Sequence, residues 1–162
     1  MRLIKHLFES LTQRRHFPAA TLAVIQQAIA AGEQRHRGEM VFAVEPGLRA
    51  SAIIAGETPR ARAEQVFSHL RVWDTRENTG VLVYVLLADR AVEIIADRGI
   101  TAVIPDTQWL AICERLLARY AAGEFESGTI TAIAKISDLL AAHFPANPDD
   151  NPDELPNRAM ML

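Results

Sequence analysis

Residues 80–99, GVLVYVLLADRAVEIIADRG, limit the possible folds more than any other stretch of the chain. Residues 81–87 are apolar without interruption, Ala88-Asp89-Arg90 breaks the run, and residues 91–96 resume it. Two strand-like runs this close together pair as an antiparallel hairpin, because parallel strands need a crossover of roughly a dozen residues. The first run has no polar side, so it suits a central strand covered on both faces. In the second, Val92, Ile94 and Ala96 alternate with Glu93, Ile95 and Asp97. One side is therefore more polar, as befits an outer strand.

The flanking segments extend this hairpin into a sheet. Residues 40–44 form another apolar run without alternation, bounded by Glu39 and Glu45-Pro46-Gly47. Between them and residue 81, Thr58-Pro59 supplies a helix start, a capping hydroxyl followed by proline. Ala63, Val66, Phe67 and Leu70 then recur at helical spacing, while residues 48–56 read either as a short helix or as an irregular connection. A strand–helix–strand unit of this length makes the strands at 40–44 and 81–87 parallel.

Pro18 opens an earlier helix carrying Leu22, Ile25, Ala28 and Ile29 on one face. Pro105-Asp106-Thr107 opens a later one, with a stripe of Trp109, Ile112, Cys113, Leu116, Leu117 and Tyr120 that stops at Gly123. Ser127-Gly128 leads into a last helix with Ile130, Ile133, Ile136 and Leu140 directed inward. The expected fold is α/β: a three-layer α/β/α sandwich around a small mixed sheet of three or four strands. Residues 1–16 hold a short N-terminal helix over 3–11, residues 17–145 the domain, and residues 146–162 a mobile, acidic, proline-rich tail.

Composition closes several routes. At 162 residues and a net charge of −3, the chain is long enough for one core and offers nucleic acid no general attraction. A single cysteine, Cys113, excludes a disulfide framework within one chain. It lies on an apolar helix stripe and reads as inert core. No stretch reaches the ~20 apolar residues that span a bilayer, and the charged N-terminus does not resemble a secretory signal. The compartment expected is the cytoplasm. The five histidines lack paired metal-binding spacing, and no dinucleotide loop, P-loop or serine elbow is present. No organic cofactor is expected.

The topology sorts the remaining charged residues into two poles. The strands at 40–44 and 81–87 end on one edge of the sheet, which places Glu45 with Asp89 and Arg90, where α/β sheets tend to bind ligands. The return strand carries Asp97 and Arg98 to the opposite edge, beside Asp74 and Asn78. Converging carboxylates suit Ca2+ or Mg2+, and a neighbouring arginine suits a phosphate. Asp89 and Glu45 are the candidate metal ligands, and Asp89, Arg90 and Glu45 the candidate catalytic set. Asp74, Asn78, Asp97 and Arg98 form a reserve site. The same residues also read structurally: Asp89-Arg90 as a polar turn, the reserve residues as caps and ion pairs.

Residues 78–100, NTGVLVYVLLADRAVEIIADRGI, and 123–136, GEFESGTITAIAKI, resemble the TPM domain family. That family is named for a thylakoid lumen protein, a photosystem II repair protein and a nematode receptor modulator. The resemblance covers residues 67–144 and implies an α/β/α sandwich. It also implies a weak acid phosphatase acting on phosphate esters, calcium binding, or a role as an assembly or regulatory factor. The family's turn often carries two aspartates before the arginine. Here Ala88 stands in place of the first, leaving Asp89 and Arg90. Two functions follow as expectations: a weak, metal-assisted phosphatase, with Asp89 as ligand or base and Arg90 as phosphate clamp, or a non-enzymatic adaptor binding a protein partner or a membrane-protein complex.

Overall fold

The computed structural model describes residues 1–4, 6, 15–149 and 152–162. Most of the N-terminal helix expected over residues 3–11 lies outside the described residues. After it come α1 (Ala19–Glu33), β1 (Glu39–Glu45), α2 (Ala50–Ile54), α3 (Pro59–His69), β2 (Gly80–Leu86) and β3 (Ala91–Ala96). The chain continues through α4 (Arg98–Thr101), α5 (Asp106–Ala121), α6 (Phe125–His143) and β4 (Arg158–Met161).

The strands form one mixed sheet in the order β3-β2-β1-β4. β1 and β2 are parallel, with Glu39 opposite Gly80 and Glu45 opposite Leu86. β2 and β3 are antiparallel, with Val81 opposite Ala96 and Leu86 opposite Ala91. β1 and β2 are buried along their whole length, as their unbroken apolar runs require, whereas β3 mixes buried positions (Val92, Ile94, Ile95) with half-buried ones.

One core lies between the sheet and helices α1, α5 and α6. There Phe42, Val83 and Val85 meet Ile25, Ile29, Leu116 and Ile133. A smaller core on the other face sets Ala43, Leu82 and Tyr84 against Leu48, Ala63 and Val66. These are the three layers expected. Each large apolar side chain sealed here contributes about 2 kcal/mol. Local signals set the helix ends. The Thr58 hydroxyl accepts a hydrogen bond from Ala61 N–H at 3.1 Å, and Gly123 adopts φ 81° just past α5, a conformation glycine takes without steric cost.

Three segments differ from the sequence reading. Residues 98–101, where no element is expected, form the short helix α4. The last helix begins at Phe125, so Gly128 lies inside it. A Cβ at Gly128 would stand 2.8 Å from the Cβ of Arg119, so the glycine serves the close approach of α5 and α6 rather than a helix start. The larger difference lies in the segment expected as a tail. Residues 158–161 form β4, which pairs parallel with β1 from Val41 opposite Arg158 to Val44 opposite Met161. The buried Glu39 carboxylate guides the approach, accepting from the N–H groups of Glu154 (3.1 Å) and Leu155 (3.2 Å). β4 covers the open edge of an apolar strand, which offers unpaired backbone groups to any chain that reaches it.

Candidate functional site at the two rims of the sheet

The carboxyl rim is organised by β1, β2 and the turn into β3. Leu87 N–H donates to the Glu45 carbonyl at 3.0 Å, and Ala88 N–H donates to the Pro46 carbonyl at 3.0 Å. Arg90 closes the turn with φ 51°. A left-handed non-glycine residue costs about 1 kcal/mol, and its N–H bond to the Leu87 carbonyl at 3.0 Å holds it there. Glu45 and Asp89 thus share a rim, as expected, but each is engaged by other groups.

Asp89 receives the N-terminal segment. Arg2 Nη2 donates to Asp89 Oδ2 at 2.7 Å, and Arg2 Nε lies 3.2 Å from both carboxylate oxygens. His6 Nε2 is 3.0 Å from Asp89 Oδ1. The opposite ring nitrogen, Nδ1, accepts from Leu48 N–H at 2.7 Å, so the proton of neutral His6 sits on Nε2 and points at Asp89. Burial lifts the Asp89 pKa, but the bonds from Arg2 and His6 outweigh it and hold the carboxyl below its ordinary value.

Glu45 is buried on the α2/α3 face. Arg62 grips it with two parallel bonds, Nε to Oε2 at 2.8 Å and Nη2 to Oε1 at 2.9 Å. Tyr84 Oη donates to Oε2 at 2.5 Å. Burial and the adjacent carboxylate push the Tyr84 pKa upward, so the phenol keeps its proton. A chain of contacts joins the two carboxylates. Arg2 Nη2 reaches the Glu57 carbonyl at 2.7 Å, Gln65 donates to the Glu57 carboxylate, and Arg62 Nη1 donates to Gln65 at 3.2 Å.

Arg90 stands apart from both. It lines a cleft of about 390 Å³ on the α5/α6 face with His16, Tyr120 and Phe125. Asp89, Glu45 and Arg90 therefore occupy one rim without enclosing one pocket.

The amino rim gathers different groups. Glu33, Glu39 and Asp153 each bring a carboxylate oxygen within 4.8 Å of the others, close enough to hold a metal ion. Burial, joined by repulsion from Glu39 and Asp153, pushes the Glu33 pKa up to about 8. Glu39 is raised chiefly by burial too. Nearby, His36 Nδ1 lies 3.0 Å from the Gly38 carbonyl, and burial pulls its pKa down to about 4.

The reserve residues lie at this end but do not converge. Asp74 pairs with Arg71 at 2.7 Å in solvent. Asn78 Oδ1 accepts from Arg98 Nε at 3.0 Å, and Asp97 caps α4 through Arg98 N–H at 2.7 Å. Their cap and ion-pair reading describes these contacts. Cys113 is buried and unpaired, and burial raises its thiol pKa to about 11.

A TPM domain matches residues 12–139. The chain belongs to the TPM domain family. The NMR structure of BA42 protein, from the psychrophilic bacterium Bizionia argentinensis, is similar to this TPM domain at a TM-score of 0.75 and 29% sequence identity. The alignment covers 88% of this chain and 93% of that one. A search of curated proteins returned no match. Among the described residues, no helix of the TPM domain is long and apolar enough to cross a membrane.

The residues that define the carboxyl rim were only partly accessible to sequence reasoning. Arg2, His6, Arg62 and Tyr84 were not candidates. Arg2 and His6 meet Asp89 across 87 and 83 residues of chain, and no local pattern signals that contact. Tyr84 carried one signal, a phenol inside an apolar strand, because a buried hydroxyl needs a partner.

Proposed function

We propose that this TPM domain is a non-enzymatic binding module for a protein partner, whose carboxyl rim holds its own N-terminal segment in place. One observation carries the reading: both carboxylates of the carboxyl rim already serve structural donors. A base needs a free lone pair facing its substrate, and a hard cation needs open carboxylate oxygens. Asp89 spends its oxygens on Arg2 and His6, and Glu45 on Arg62 and Tyr84. The docked segment leaves Leu3 and Ile4 exposed, at 46% and 60%, so apolar side chains stand beside the hairpin where a partner can cover them.

The competing reading is a metal-assisted phosphatase with Asp89, Arg90 and Glu45 in the roles given above. The deciding experiment measures p-nitrophenyl phosphate hydrolysis with and without Ca2+ or Mg2+, for the wild type and for Asp89→Asn, Glu45→Gln and Arg90→Ala. The binding-module reading expects any turnover to be the same in all four proteins. A loss of about 100-fold in Asp89→Asn or Arg90→Ala, the size of a removed acid–base or electrostatic group, would restore the phosphatase.

A second reading is favoured by Glu33, Glu39 and Asp153. A divalent cation at that cluster would replace the proton that burial forces onto Glu33. Calorimetric titration with Ca2+ and Mg2+ tests it. Saturable heat that vanishes in Glu33→Gln supports a cation here, and heat unchanged in that variant removes it.

A further inference from the structure

A cleft of about 340 Å³ opens on the α2/α3 face, beyond the carboxyl ends of β1 and β4. That volume lies within the range of small-ligand sites, and the carboxyl ends of parallel strands are where α/β sheets place them. Its apolar lining comes from Leu48, Val66, Leu70 and Leu162. Its polar lining is unequal. Glu45 is held by Arg62 and Tyr84, and Glu57 accepts from Gln65. Arg49 and His69 line the same cleft, and neither side chain has a hydrogen-bond or ion-pair partner among the described residues. The Ser51 hydroxyl also lines the cleft and can donate or accept, so the guanidinium of Arg49 is the unmatched charge there. Arg62 adds rigidity: Glu45 fixes its inner edge, while the side chain keeps 30% exposure toward solvent.

We propose that this cleft binds a small amphiphilic carboxylate, whose charge meets Arg49 and whose hydrocarbon body covers Leu48, Val66 and Leu70. One unmatched guanidinium suits one negative charge. A phosphate monoester would bring a second charge close to Glu45 and Glu57, which repel it. An alkylammonium would face Arg49 with like charge. The proposal goes beyond the partner-binding reading and does not depend on it.

The test is an NMR titration of the full chain with hexanoate, with hexylamine and inorganic phosphate as separate arms. Hexanoate is expected to shift the amides of Leu48, Val66 and Leu70 saturably, with a Kd of about 1 mM for so small a ligand. Arg49→Gln, a change at an exposed position, is expected to weaken it about tenfold, the usual loss for one charge-assisted contact. Arg35→Gln, at an exposed pair with Asp138 of α6 on the opposite face of the sheet, should bind as the wild type does. Three results would each overturn the proposal: no saturation by ~30 mM hexanoate, hexylamine or phosphate saturating the same amides as tightly, or an Arg49→Gln affinity equal to that of the wild type.

Discussion

The two rims of the sheet use the same kind of residue to opposite effect. At the carboxyl rim, Glu45 and Asp89 each face an arginine and a second donor, and Asp89 is held ionised below its usual range. At the amino rim, Glu33 and Glu39 face each other, Asp153 and backbone N–H groups, and their pKa values rise. Burial raises the pKa at both rims and weighs more heavily on Glu33 and Glu39. At Asp89 the bonds from Arg2 and His6 outweigh it, whereas at Glu33 the neighbouring carboxylates add to it. A carboxylate beside a guanidinium is a structural strut. One beside other carboxylates holds a proton, or a cation, in reserve.

The largest effect that tests this contrast is expected from Arg62→Leu. It leaves Glu45 buried with Tyr84 alone and should cost about 3 kcal/mol of stability, the low end for a broken buried pair because Arg62 is partly solvated. Chemical denaturation measures it. The double variant Arg62→Leu/Glu45→Leu should recover most of the loss, and a double variant as unstable as the single one would show that packing, not charge, matters there.

Glu33→Gln comes next. Native Glu33 keeps its proton up to about pH 8, whereas the unfolded chain releases it near 4.5, so the native state binds more protons between those values. Stability then falls as pH rises, by up to ~1.4 kcal/mol per unit. His36 opposes this at lower pH. Its folded pKa of about 4 lies below the unfolded 6.5, so it makes stability fall as pH drops from 6.5 to 4. Above pH 6.5 the His36 contribution fades, and the slope that remains comes from the Glu33–Glu39 pair, both raised in the folded state. Wild-type stability should decline by about 1–2 kcal/mol between pH 6.5 and 8, and the Glu33→Gln profile should be shallower, because only the Glu39 contribution remains. Equal slopes in both proteins would end the assignment.

Asp89→Asn should cost about 1 kcal/mol or less, since Arg2 is a third exposed. Its clearer sign is local. Exchange of the Leu48 amide should accelerate, because that N–H bonds to His6 and His6 loses its charged partner. The Asp89 contribution is present above the ordinary carboxyl range and disappears as pH falls through its lowered native pKa. The smallest effect belongs to Asp74→Ala. An exposed pair with Arg71 should change stability by less than ~0.5 kcal/mol, and a larger change would show that Asp74 supports the fold beyond that pair.

Much of the fold was legible in the chain, for local reasons. The pairing of β2 with β3 follows from a three-residue break between two strand-like runs. The burial of β1 and β2 follows from the absence of polar residues in them, and the start of α3 from Thr58 and Pro59. β4 was not legible. Arg158-Ala-Met-Met is short, follows Pro156-Asn157, and has no β-branched residue. It becomes a strand because β1 offers it an edge and Glu39 holds the preceding backbone. The site divides the same way. The shared rim of Glu45 and Asp89 followed from strand direction, while their partners did not, since Arg2, His6 and Arg62 look like ordinary surface residues until the chain has folded.

What the amino-acid order settled unaided was the class of the fold, the longer helices α1, α3, α5 and α6, and the direction in which β1, β2 and β3 run, because periodicity and turn chemistry act over a few residues. What folding alone could settle was the state of each carboxylate. Charge state depends on the nearest neighbour in space, and for Asp89 that neighbour lies more than 80 residues away along the chain.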